Sequence, residues 1–255
     1  MEANTLICST GDTIIRASIN TGGEGGNADS GSSGLALSAS GRYIGFGSAA
    51  SNLIVNDTNG VADIFVFDRN TCQTIRISSA IDGSEANNAS SNPAMTPDGQ
   101  TIVFASLATN LIPGEANAGI FVRNLLNNTF IRLPGSSAVS GHPSISADGR
   151  YVTYRDTVNA STINIMLYDT VNGQNSLIET VSNAASVSKI AANGSVVVYL
   201  NASAALSIYD RASQQVSTTS FSVNAAGLFA VSADGNTLAF ASDAANLATD
   251  DTNNL

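Results

Sequence analysis

PSISADGRYVTYRD, residues 143–156, decides the fold because the chain repeats it. Related copies read LALSASGRYIGFGS (35–48), PAMTPDGQTIVFAS (93–106), KIAANGSVVVYLN (189–201) and FAVSADGNTLAFAS (229–242). Each is a short apolar strand, a Gly-centred polar turn and a second apolar strand. The turn glycines are Gly41, Gly99, Gly149, Gly194 and Gly235, at intervals of 58, 50, 45 and 41 residues, with 61 around the chain ends. Self-similarity at such a period marks a repeat architecture. Each unit is long enough for a four-stranded antiparallel sheet with its loops, the blade of a propeller. The dipeptides Asp98-Gly99, Asp148-Gly149, Asp234-Gly235 and Asn193-Gly194 suit the positive φ angles of a two-residue hairpin turn, with Ser40-Gly41 the odd one. These aspartates recur wherever the hairpin recurs, so they read as turn chemistry rather than as catalytic or metal-binding groups.

A third strand follows each hairpin where the chain reads DIFVFDR (63–69), GIFVRN (119–124), INIMLYDT (163–170) and ALSIYDR (205–211), and fourth strands read TIRIS (74–78) and TFIRL (129–133). β-Branched and aromatic enrichment with partial period-2 alternation predicts strands with a buried face. No window carries a capped helical period, so the chain reads as all-β. The fifth hairpin is followed by AANLATDDTNNL (244–255), where the chain stops short of two strands. Aligning Asp251-Thr252-Asn253 on Asp57-Thr58-Asn59 brings Glu2 to the place of Asp63 and Ile14 to that of Ile75. The expectation is one domain over 1–255, a five-bladed β-propeller whose closing blade is built from both termini. Its blades are 34–78, 92–133, 143–181, 187–219, and 226–255 plus 2–18. Such closure pairs strand edges that would otherwise invite aggregation.

The SADGRY hairpin at 146–151, its variant at 38–43 with Ser40 in the Asp place, and SNLIVNDTNGVADIFVFDR (51–69) together resemble the TolB-type propeller repeat, a relative of the WD repeat. The resemblance covers essentially the whole chain. It departs in blades three and four, where the loop between the second and third strands is shortened. It implies the fold and a general binding role, with a protein or peptide held on one rim.

Composition narrows the partners. Net charge is −10 and Lys189 is the only lysine. Nucleic-acid binding needs clustered Lys and Arg along the phosphates, and docking on anionic lipid needs basic residues too. No apolar run is long enough to cross a membrane, and no basic-apolar leader is visible at the N-terminus. A surface built largely from Ser, Thr, Asn and Ala suits an extracellular or periplasmic repeat protein. The two cysteines, Cys8 and Cys72, fall in the same outer zone of neighbouring blades, and two unpaired thiols are expected.

The sharpest local signal is Asp57-Thr58-Asn59-Gly60-Val61-Ala62-Asp63. Oxygens from Asp57, Asn59, Asp63 and the carbonyl of Val61 have the spacing of a calcium loop, with Gly60 supplying the tight turn. The same residues can instead cap their own backbone as Asx turns. The expectation carried forward is a calcium ion at Asp57, Asn59, Val61 and Asp63, with a weaker site at the chain join formed by Glu2, Asp251 and Asn253. His142, the single histidine, reads as a channel-lining or turn residue rather than a general base. The segments that begin the innermost strands carry no acid, which removes the paired carboxylates a glycosidase needs. The chain is therefore read as a non-enzymatic, monomeric binding propeller. Two further readings are a lectin-like glycan binder with pockets between blades, and an accessory domain of a larger secreted enzyme. Absent Trp weakens the lectin reading.

Overall fold

The computed structural model describes residues 14–136, 141–182, 187–223 and 229–242. They form two compact units, Met1–Leu133 and Pro134–Leu255, and contain strands but no helix. The first unit holds β1 (Ser30–Leu37), β2 (Tyr43–Ser48), β3 (Asp63–Asp68) and β4 (Gln73–Arg76), then β5 (Ser90–Met95), β6 (Thr101–Ser106), β7 (Gly119–Asn124) and β8 (Phe130–Arg132). The second holds β9 (Ser144–Ile145), β10 (Tyr151–Asn159), β11 (Thr162–Asp169) and β12 (Gln174–Val181). It continues with β13 (Ser188–Ile190), β14 (Val196–Leu200), β15 (Ala205–Asp210), β16 (Gln215–Ser222) and the pair β17 (Phe229–Val231) and β18 (Leu238–Phe240). Four antiparallel meanders, β1–β4, β5–β8, β9–β12 and β13–β16, are four-stranded; β17–β18 is a two-stranded sheet. No closed sheet is present among the described residues. The strands expected to complete the fifth blade fall at 244–255, outside the described residues, and at 2–18, of which only 14–18 are described. Residues 14–17 form no strand.

The recurrent hairpin turn is longer than a two-residue loop. The five turn glycines lie at φ of 67 to 77°, but the residues before them do not have positive φ. Each glycine N–H donates to the carbonyl three residues back, as Gly99 does to Thr96 and Gly149 to Ser146. The aspartate accepts from the backbone two residues on: Gln100 N–H donates to Asp98 at 2.9 Å and Arg150 N–H to Asp148 at 3.0 Å. The preceding Ser or Thr hydroxyl donates to the same carboxylate and accepts the N–H of the next strand, as Ser146 does with Asp148 and Tyr151. A three-point cap of this kind sets the turn through side chains as well as glycine. Adjacent turns are also tied to each other: Ala39 N–H donates to Pro97 O, Ala147 to Ala192 O and Asn193 to Ala233 O. Gly194 is needed twice, because it sits at φ 71° and a β-carbon there would stand 2.8 Å from the ring of Tyr151.

Sheets stack face to face within each unit, so their middle strands are buried on both sides. All six residues of β6 are buried. In the first unit Ile64, Val66 and Ile77 meet Ile102, Phe104, Phe121 and Phe130. Phe46 pairs with Phe65 across β2–β3, and Phe104 with Phe121 across β6–β7, each with ring centroids 5.9 Å apart. In the second unit Tyr151, Ile163, Ile165 and Leu167 meet Ile190, Val197 and Tyr199, while Val198, Leu200 and Leu206 meet Phe229 and, at the edge, Val231, Leu238 and Phe240.

A second sequence expectation is overturned at Cys72. Cys72 is disulfide-bonded rather than an unpaired thiol. Cys8, the other cysteine of the chain, lies outside the described residues. Spacing along the repeat does not say which face of a sheet a neighbouring segment covers. Ile15, Ala17 and Ile19 pack on the Phe46, Phe65, Phe67 and Cys72 face of the first sheet, and Thr74 Oγ1 donates to Ile19 O at 2.6 Å. The early chain thus runs beside the turn that carries Cys72.

Candidate functional site

The loop between β2 and β3, residues 49–62, is pinned before any charged group is considered. Asn52 accepts the N–H of Asn27 at 2.9 Å and donates to Gly25 O at 3.0 Å, while Asn27 accepts the N–H of Ser51 at 2.9 Å. Leu53, next to this clasp, is buried. The loop between β6 and β7, residues 107–118, repeats the device. Asn110 accepts from Asn87 N–H at 3.0 Å and donates to Glu85 O at 2.8 Å, Asn87 accepts from Thr109 N–H at 2.8 Å, and Leu111 is buried. The clasp joins residues 22 to 27 positions apart, so local turn patterns give no sign of it.

Past the clasp the first loop delivers Asp57, Asn59, Val61 and Asp63 to one place, together with Arg76 at the end of β4 and Glu85 from the connection to β5. Arg76 Nη1 lies 3.3 Å from Asp57 Oδ1, 3.3 Å from Asp63 Oδ2 and 2.9 Å from Glu85 Oε1. The Asp63 side chain is fully buried, and those of Arg76 and Asp57 are 6% and 4% exposed. Asp63 also accepts from the Ser78 hydroxyl and from Asn59 Nδ2 at 3.0 Å. Asn59 Oδ1 accepts Val61 N–H at 3.1 Å, an Asx turn. Among the described residues no group of three or more His, Cys, Asp or Glu side chains is arranged to hold a metal. Glu2, Asp251 and Asn253 lie outside the described residues.

Three carboxylates share one guanidinium, and the acidities of Asp57 and Glu85 diverge. Burial, reinforced by Asp63, pushes the Asp57 carboxyl up to about 6. Glu85 is held down at about 2, first by the Thr58 hydroxyl at 2.6 Å and backbone N–H at 2.7 Å, and then by Arg76. Arg76 and Glu85 escape the sequence reading because they enter from another strand and another connection. The Arg in TIRIS (74–78) was the available signal. Above the cluster opens a groove of about 490 Å³, with Val55, Thr58, Ile75 and Glu85 in its lining. Val55 and Ile75 are 88% and 45% exposed.

The remaining sequence candidates sit elsewhere. His142, at φ 32°, is exposed two residues before β9 and, among the described residues, belongs to no cluster of acidic partners. The first strands of the sheets, β1, β5, β9, β13 and β17, contain no Asp or Glu.

Four-stranded meanders stacked face to face, with the Asp-Gly turn recurring in register, define a protein of the β-propeller class. No family model matches the chain, and no curated protein matches it. Solved structures do. TolB from Acinetobacter baumannii is similar at a TM-score of 0.50 and 21% identity, over 76% of this chain and 43% of that one. The β-propeller domain of Cps50 (Swd1) from Myceliophteria thermophila is similar at a TM-score of 0.52 and 9% identity, over 84% of this chain and 62% of that one. The likeness shows the fold, a propeller of the type the repeat resembles. The chain spans less than half of the A. baumannii TolB chain.

The expectation that the chain is not an enzyme does not stand. A structure described as two prolyl endopeptidases is also among the similar ones, at a TM-score of 0.49 and 10% identity, over 75% of this chain and 29% of that one. Likeness at that distance assigns no activity in either direction.

Proposed function

We propose that the chain is a binding scaffold that offers the loop groove of its first unit to a protein or peptide partner. The observation that carries this reading is the exposed apolar pair Val55 and Ile75, mounted over buried ion pairs. Apolar side chains held in water on a rigid support suit association, and a loop already ordered loses little entropy on binding. The propeller fold shared with TolB and Swd1 supports it. Arg76 serves as the resident cation of the loop, in the place the spacing assigned to calcium. The disulfide at Cys72 supports an extracellular or periplasmic location, where such bonds persist.

The test is affinity capture with the wild-type chain and with Val55→Asp/Ile75→Asp. Partners retained by the first and lost by the second, at equal melting temperature, are expected; identical retention overturns the reading. Melting with added calcium tests the cation. No shift is expected, and a rise abolished by Asp57→Ala shows that calcium takes the loop from Arg76.

A further inference from the structure

A second site lies in the other unit. Arg211 follows β15 directly. Its backbone N–H donates to Ser195 O at 2.9 Å and its Nε to Gly194 O at 2.8 Å. Its guanidinium carbon stands 4.2 Å from the centroid of the Tyr151 ring. A second guanidinium, that of Arg150, stands 4.9 Å from the same ring. The two differ in one respect. Arg150 is matched by Asp169, with Nε 3.1 Å from both carboxylate oxygens and Nη2 2.8 Å from one. Arg211 forms no ion pair among the described residues. The neighbouring carboxylate, Asp210, feels the charge of Arg211, but its hydrogen bonds go to the N–H and hydroxyl of Ser213, both at 2.7 Å.

Arg211 opens on a cleft of about 160 Å³. Gln174 and Gln214 supply amide groups in its wall, and Leu167 and Tyr209 supply apolar surface. Asp169 also lines it, with its charge already compensated by Arg150. The cleft thus holds an oriented guanidinium whose terminal nitrogens lack an acid, two amides and an apolar surface. We propose that it binds the free α-carboxylate of a peptide chain end, with Arg211 taking the carboxylate and the half-buried Tyr209 meeting the terminal side chain. Guanidinium and carboxylate form the strong, planar class of charge-assisted hydrogen bond. The cleft is smaller than the roughly 300–1,000 Å³ of sites that enclose a whole small molecule, which fits a chain end. The alternative carboxylate source is an acidic sugar. It is disfavoured because Tyr151 already carries two guanidiniums and has no open face for a sugar ring.

The site is independent of the groove reading, and its test uses different residues. The full chain, labelled so that arginine side-chain resonances are visible by NMR, is titrated at millimolar concentration with N-acetyl-alanyl-leucine, its C-terminal amide, and glucuronate. Saturable shifts of Arg211 with the free acid are expected, with none for the amide. Affinity should fall about tenfold or more in Arg211→Gln, the scale of a lost charge-assisted pair. Arg69→Gln is the control. Arg69 occupies the same place after β3 and donates to Gly41 O, but is exposed without a ring beneath it, so its loss should leave binding unchanged. Equal binding of acid and amide, retention by Arg211→Gln, or no shift of Arg211 overturns the proposal. Binding of glucuronate but not of the peptide acid overturns the peptide assignment. If Arg211→Gln does not fold, the acid–amide pair on the wild-type chain decides. None of these outcomes touches Val55 and Ile75, so each site can fail alone.

Discussion

The first and second sheets of the first unit build the same loop on different chemistry. Both pin it with an Asn clasp and a buried leucine. Both place an arginine at the end of the outer strand, opposite a phenylalanine: Arg76 faces Phe65 and Arg132 faces Phe121. Where β3 begins with Asp63, β7 begins with Gly119. Arg76 accordingly gathers three carboxylates, while Arg132 donates from Nε and Nη2 to Ala118 O, at 3.0 and 2.8 Å. The clasp and the leucine are thus common to both loops, whereas the gathering of three carboxylates on one arginine is described for the first.

The contrast is broken most directly at the arginines. Arg76→Met strands two buried carboxylates and should cost about 3–5 kcal/mol. Arg132→Met removes hydrogen bonds to a carbonyl and should cost about 1–3 kcal/mol. Urea unfolding of the two variants measures both, and equal losses would mean that the carboxylates of the first loop are not its distinguishing support. Next in size, reduction of the disulfide or Cys72→Ser should cost about 2–4 kcal/mol, seen as a drop in melting temperature on adding reductant. The clasps sharpen the comparison from the other side. Asn52→Ala and Asn110→Ala should each cost about 1–3 kcal/mol by leaving backbone groups unmatched, and by similar amounts, because the device is the same in both sheets.

The smallest effect is in pH. The Asp57 carboxyl is raised to about 6 in the folded protein, above the roughly 3.9 of an unfolded chain. Its contribution to stability is therefore complete below about pH 4 and is lost as pH rises through about 6. Glu85, lowered to about 2, contributes above the roughly 4.3 of an unfolded glutamate, and its share is lost as pH falls toward about 2. The first loop should be most stable near about pH 4. Melting curves of Asp57→Asn should lack the decline between about pH 4 and 6; a decline identical to that of wild type removes Asp57 as its source.

The hairpins were legible because their chemistry is local. Ser146, Asp148 and Gly149 close a turn by themselves, so their recurrence counts sheets. The convergence of Asp57, Asn59 and Asp63 was legible for the same reason. Arg76 and Glu85 were not, since strand register and an inter-sheet connection bring them in. The turn type was misjudged because Asp-Gly serves two turns. Only the Ser or Thr two positions before the aspartate, whose hydroxyl completes the cap, separates them. Cysteine pairing depends on which face the early chain covers, and residue spacing carries no such information.

The hydrogen bond that runs from one turn to the next in three places has a further consequence. Ala39 gives its N–H to Pro97, Ala147 to Ala192 and Asn193 to Ala233, so the turn that holds Ala192 and Asn193 accepts from one neighbour and donates to the other. Contacts of this head-to-tail kind carry no internal stopping point, and the number of copies is set by where the geometry closes. The turn of Pro97, which has no N–H at that place, can only accept, whereas duplicating the segment with the Ala192–Asn193 turn would leave every donor facing an acceptor. A gene for such a chain can therefore lengthen by that sheet without inventing a new joint.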